Sequence, residues 1–188
     1  MSLSIHVIAA AGLKDVETMG KQDPYVQCSL DFNNKEAYLK TSTKKNAGQE
    51  ATWNEAFSVA YNGESDLYVE ILDEEHAVDE VIAFAAIPLD QVHNAPGGKL
   101  NGIFDVYNTK GDAAGKIHLQ LSTQGTGSFD DKPVDARSYV NDEHKAHMKS
   151  TNRKAAAVSA GGTVLGAGLA IAAGLLGQRL QQKNAEQQ

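Results

Sequence analysis

Apolar and polar side chains alternate with a period of two through the first two thirds of this chain, and no other feature restricts its fold as tightly. Leu3, Ile5 and Val7 alternate with Ser4 and His6, and Val26, Cys28 and Leu30 with Gln27 and Ser29. Phe57 and Val59 follow the same rule, as do Leu67, Val69 and Ile71, then Ile117, Leu119 and Leu121. Successive side chains of a strand point to opposite faces, so each run reads as a strand with one face on a core. Turn formers separate the runs: Asn33-Asn34, Asn46-Ala47-Gly48, Asn62-Gly63, Pro96-Gly97-Gly98 and Gly111-Asp112. About eight short strands with turns between them predict an all-β, eight-stranded antiparallel sandwich rather than a parallel α/β sheet. No helical period precedes residue 124.

Of the 188 residues 41% are hydrophobic, enough for a packed core. The single cysteine, Cys28, excludes an intramolecular disulfide and fits a reducing compartment. Residues 1–12 lack the basic start and long apolar stretch of a secretory signal, so the chain is expected not to be secreted. Charge is unevenly spread. Residues 1–123 hold nine Lys/Arg against eighteen Asp/Glu, a net −9, and residues 124–188 eight against six, a net +2. An acidic domain with a mildly basic tail does not read as a nucleic-acid binder.

The period changes along the chain and divides it. Residues 1–123 form the sandwich. Residues 124–154, Gly/Thr/Ser-rich at first and then polar and weakly patterned, read as a polar, basic linker with a short helix near 141–153. Residues 155–177 carry no charge and hold eight Ala, six Gly and four Leu, the pattern of a hydrophobic helix. Residues 178–188 are a polar tail.

The segment Gly20-Lys-Gln-Asp-Pro-Tyr-Val26 fixes a carboxylate, Asp23, where a loop becomes a strand. Proline sets φ and removes a donor, which biases Asp23 to an extended conformation at the sheet end. Before it stands Gly12-Leu13-Lys14-Asp15-Val16-Glu17. After it come Lys40-Thr41, Lys44-Lys45, Trp53-Asn54-Glu55-Ala56-Phe57, Val69-Glu70-Ile71-Leu72-Asp73 and Asp79-Glu80-Val81-Ile82. Motifs of these kinds, in this order, resemble the C2 domain family, the calcium- and phospholipid-binding β-sandwich. The likeness covers residues 1–123. It implies two four-stranded sheets with functional loops at one end. The Leu-x-Ile-x-Val start is similar to the circularly permuted topology of stand-alone members.

The resemblance implies calcium as cofactor and an anionic phospholipid membrane as partner. Calcium takes about six to eight oxygen ligands, so two loops must bring several carboxylates together. The implied ligands are Glu17, Asp23, Asp73, Glu75 and either Asp79 or Glu80. Glu17, Glu75 and Glu80 stand where calcium-binding members mostly carry Asp, and the second loop is about one residue short. Loop tips of the family dip into the headgroup region, which nominates Met19 and Val78 for lipid contact. Lys35, Lys40, Lys44 and Lys45 fall where the family can form a basic groove for phosphoinositide headgroups, a task suited to lysine point charges. Trp53, the only tryptophan, is assigned to the core.

The run 155–177 is long enough to cross a bilayer, which takes about 20 residues at about 1.5 Å each. On a helix Gly162, Gly166, Ala170 and Gly174 form one stripe, with Val164, Leu165, Leu169, Leu175 and Leu176 opposite. Small residues at this spacing let helix backbones approach closely, so the stripe is a helix-packing face for a homo-oligomer. Lys145, Lys149, Arg153 and Lys154 precede the run, which places its N-terminal side in the cytosol. The layout resembles a tail anchor on the cytosolic face of an intracellular or plasma membrane. A Gly/Ala-rich helix packed in a soluble homo-oligomer fits the same residues.

Two functions follow. The first is a non-enzymatic, tethered phospholipid-binding module under calcium control. The alternative is a self-assembling scaffold whose sandwich binds proteins. The sequence holds no Gly-x-Ser-x-Gly, no phosphate-cradling glycine loop and no zinc spacing among its six histidines, so catalysis is not expected.

Overall fold

The computed structural model describes residues 1–17, 20–125, 128–129 and 132–159. Nine strands run in chain order with two helices: β1 (Ser2–Ala11), β2 (Pro24–Ser29), β3 (Leu39–Lys40), β4 (Ala51–Ala60), β5 (Asp66–Asp73), β6 (Glu80–Pro88), α1 (Asp90–Asn94), β7 (Lys99–Tyr107), β8 (Ala113–Ser122), β9 (Val134–Ala136) and α2 (Asp142–Ser159). Hydrogen bonding orders them β3-β2-β5-β6-β7-β8-β1-β4, with β9 beside β7. Only Phe84↔Tyr107 pairs β6 with β7. That single corner divides the path into two four-stranded antiparallel sheets, the expected sandwich.

The alternation does what its period requires. Leu3, Ile5, Val7, Leu67, Val69, Ile71, Ile117, Leu119 and Leu121 are all fully buried in one core between the sheets. Trp53 joins them, its indole N–H donating to the Ser42 carbonyl at 3.0 Å. Helix α1 has five residues, too short to display a helical period.

From residue 134 onward the expected linker is ordered against the sandwich. Strand β9 adds to β7 in parallel, and Tyr139 exchanges two backbone hydrogen bonds of 2.9 Å with Ala86 of β6. Residues 134–139 thus close the edge where β6 and β7 part, which leaves fewer unpaired edge groups. Helix α2 then lies on the outer face of the β2-β5-β6 sheet. It buries His144, Met148 and Ala155, spaced four and seven residues apart on one face of the helix. Met148 packs with Tyr25, Leu72, Val81 and Phe84. Strands β5 and β6 are therefore buried on both faces, by the core on one side and α2 on the other.

The helix near 141–153 is present but longer, and it passes through residue 155 without a break. Among the described residues no helix is long and apolar enough to cross a membrane. Gly162, Gly166, Ala170 and Gly174, and with them the expected span and oligomer face, lie outside the described residues, as does Met19.

Candidate cation and lipid site

Three loops meet at one end of the sandwich: 12–23, 41–50 and 74–79. Strand pairing sets their approach. Pro24 opposes Asp73 across β2 and β5, so Asp23 and Asp73 emerge side by side. The Asp23 N–H donates to Asp73 Oδ1 at 2.6 Å, and the Glu74 N–H donates to the Asp23 carbonyl at 3.1 Å. Gln22, fully buried, ties the other two loops together. Its side-chain oxygen accepts from the Val16 N–H at 3.2 Å and its amide donates to the Gly48 carbonyl at 2.9 Å.

Carboxylate oxygens of Glu17, Asp73 and Glu75 all lie within 4.8 Å of one another. A cation bonded at about 2.4 Å tolerates donors up to about 4.8 Å apart. The trio therefore fits one hard cation, glutamates included. Electrostatics agree. Burial, with the neighbouring charges of Glu17, Glu75 and Asp23, pushes the Asp73 carboxyl up to about 6 against the opposing Asp23 N–H. Burial likewise raises Glu80, helped by Glu75 and Glu17. Such mutual repulsion is what a divalent cation relieves.

The other implied ligands are differently engaged. Asp23 accepts from the Asn46 N–H at 2.6 Å and from Lys45 Nζ at 3.0 Å. The Asn46 N–H, chiefly, holds its carboxyl below the usual range against slight burial, and Lys45 adds to the effect. Asn46 reaches this pose with a left-handed φ of 54°, one of two such non-glycine residues among those described. Asp79 accepts from the Tyr25 hydroxyl at 2.7 Å and the Glu75 N–H at 3.0 Å. Glu80 opens β6 beside Asp73, half-buried.

The four lysines do not form one groove. Lys45 turns into the acidic rim and pairs with Asp23 and Glu74. Lys44 is half-buried, its N–H bonded to the Pro24 carbonyl. Lys35 and Lys40 do line a cavity of about 230 Å³, with Lys40 over the Tyr25 ring at 5.7 Å. His147 and Thr151 of α2 form part of the same lining, so the helix stands across the face where the groove was expected. Val78 lines this cavity too and is half-buried rather than free at a tip.

Below the cavity lies Glu70, 1% exposed, whose carboxylate takes hydrogen bonds from the Tyr38 hydroxyl, the Gln27 amide and His144 Nε2. The His144 ring sits against Phe32, Tyr68 and Phe84. Neither Glu70 nor His144 carried any sequence signal as a site. The alternation puts Glu70 on the outer face, where a charged residue is ordinarily solvated.

A profile of the C2 domain matches residues 1–106, more than half of the chain. The chain belongs to the C2 domain family. Three solved structures place this C2 domain among its relatives. A C2 domain of plant extended synaptotagmin 1 superposes with a TM-score of 0.54 over 64% of this chain and 91% of that one, at 22% identity, a likeness of fold. A C2 domain-containing protein from a putative elicitor-responsive gene superposes with a TM-score of 0.54 over 69% and 93%, at 25% identity. The calcium-bound tandem C2 domains of extended synaptotagmin 2 match with a TM-score of 0.54 over 64% of this chain and 44% of that one, at 25% identity. By sequence, the chain is 28% identical over 93 residues to the 16 kDa phloem protein 2 of Arabidopsis thaliana. That match covers 48% of this chain and 60% of the relative, less than two thirds of its length.

Proposed function

We propose that this protein is a phospholipid-binding module whose acidic rim engages anionic membranes through calcium held by Glu17, Asp73 and Glu75. Glu80 adds charge to the site. Asp23 and Asp79 shape it and become available as their protein partners yield. The observation that carries this reading is the convergence of three carboxylate-bearing side chains, Glu17 and Glu75 around a buried Asp73. The family supports it, as does the calcium-bound extended synaptotagmin 2 relative. Bound calcium supplies open coordination positions and positive charge at the rim, and the chain's own residues set its depth and orientation. The uncharged run that ends at Gly177 serves as a C-terminal anchor on the cytosolic face of a membrane. The module acts by binding and carries no catalytic task.

Calcium titration by calorimetry and co-sedimentation with phosphatidylserine vesicles test the reading. The protein binds both, and Glu17→Gln with Asp73→Asn abolishes calcium-dependent sedimentation. Equal sedimentation of the double variant and the parent in calcium would remove the cation from the mechanism.

A further inference from the structure

Helix α2 has a direction. Before it starts, Tyr139 is bonded to Ala86. Within its first turn, the His144 ring meets Phe84 with centroids 5.0 Å apart. Two turns later Asn152 Oδ1 accepts from the Val81 N–H at 2.8 Å. Ala86, Phe84 and Val81 are successive points on β6 toward its beginning at Glu80, and β6 begins where the acidic 74–79 loop ends. The helix therefore travels toward the acidic rim, and Thr151 lines the same cavity as Val78 and Asp79. Seven further residues continue α2 to Ser159, about 10 Å of helix at about 1.5 Å per residue. Lys149, Arg153 and Lys154 are exposed on this end.

We infer that the acidic loops, the basic end of α2 and the chain that leaves it meet one lipid surface, so that the module binds in cis and does not bridge two membranes. The inference rests on the membrane reading above and adds its geometry. Were 124–154 a flexible coil, its roughly thirty residues would span about 30 Å and let the loops turn to either side. The docked helix removes that freedom. His144 and Met148 fix it to the sheet, both essentially unexposed, and the run from Ala160 to Gly177 holds no charge. Charge placement agrees. Lys149, Arg153 and Lys154 attract anionic lipid at the end where the acidic rim repels it until a cation binds, and both act over about a Debye length of 8 Å. Tail and loops on one surface raise each other's effective concentration without a new contact.

The test uses the full chain with an environment-sensitive dye on Ala77→Cys, an exposed loop position. The native Cys28 is buried and its thiol is pushed up to about 12, so it stays unlabelled. The labelled chain is reconstituted in phosphatidylcholine–phosphatidylserine vesicles, and a nitroxide-lipid quencher is placed either in those vesicles or in a second population. With calcium, emission falls several-fold when the quencher shares the chain's own vesicles, and turbidity stays constant. Quenching only from the second population, with rising turbidity, overturns the inference and leaves the membrane reading standing. An unquenched label on a chain that sediments with vesicles also overturns it. A chain that sediments with no vesicles, with or without calcium, overturns both.

Discussion

The Lys45 ammonium lies 3.0 Å from Asp23 Oδ2, so a cation of the protein's own already stands at the acidic rim. It bonds Glu74 as well, and these two carboxylates raise its pKa above the ordinary lysine value. The pair is solvated, with the Lys45 side chain 59% exposed, and exposed pairs are weak and displaceable. On the proposed calcium reading, Lys45 is a tethered competitor at the rim, holding Asp23 and Glu74 beside the Glu17, Asp73 and Glu75 carboxylates. Lys45→Met should tighten calcium binding a few-fold by calorimetry and leave the thermal midpoint nearly unchanged. Weaker binding would mean that Lys45 organises the rim instead of competing for it.

On the same reading, proton and cation compete at Asp73. Its carboxyl, about 6 in the folded protein against 3.8 ordinarily, holds a proton more tightly than in the unfolded chain. From this group alone, the cation-free protein loses stability as pH rises from about 4 to about 6. Calcium needs the ionised form, so its apparent affinity should fall about tenfold per pH unit below about 6 if one proton is released. Titration in two buffers of different ionisation enthalpy reads that proton directly. An affinity flat through this window would contradict the burial of an acidic ligand.

The Glu70 carboxylate is buried under α2 with three donors, His144 Nε2 among them at 2.8 Å. Removing a donor from a buried carboxylate costs more than an average hydrogen bond, and the ring contacts of His144 are lost with it. His144→Ala should destabilise the protein by about 2–4 kcal/mol in urea. Amides of residues 142–159 should then exchange faster than those of β1 and β8, because the helix loosens before the core opens. Uniform exchange throughout would show that helix and sandwich unfold together.

The sandwich was legible because strands such as β1 are wetted on one face: Leu3, Ile5 and Val7 alternate with polar neighbours and all three are buried. The mate of Asp73 was legible as well, since Asp-Pro at a strand start fixes Asp23 beside it. The docking of α2 was harder to see. One signal existed, the unbroken apolar run Val81–Ile87 in β6, which marks a strand covered on both faces. Among the described side chains of the helix only residues 144, 148 and 155 are buried, and one of them is a histidine, so its stripe is faint against a polar background. The pairing of Lys45 with the acidic rim was out of reach for another reason. Its partners Asp23 and Glu74 are 22 and 29 residues away, joined to it only by loop geometry that local pattern does not encode.

The position of a truncation decides what it tests. A cut at 155 would remove the buried Ala155 and split α2. Deleting 160–188 instead keeps the helix, its Asn152 hydrogen bond to Val81 and the covered faces of Phe84 and Leu72. That shorter protein should fold with an unchanged thermal midpoint, leave the membrane fraction in chelator, and still sediment with phosphatidylserine vesicles when calcium is added. Deleting 142–188 should behave differently. It uncovers the apolar outer faces of β5 and β6 and takes one donor from Glu70, so aggregation or a lowered midpoint is expected. Persistence of the 160–188 deletion in the membrane fraction in chelator would shift the anchor to the sandwich or to the basic face of α2, and charge reversal at Lys149, Arg153 and Lys154 would then separate those two sources.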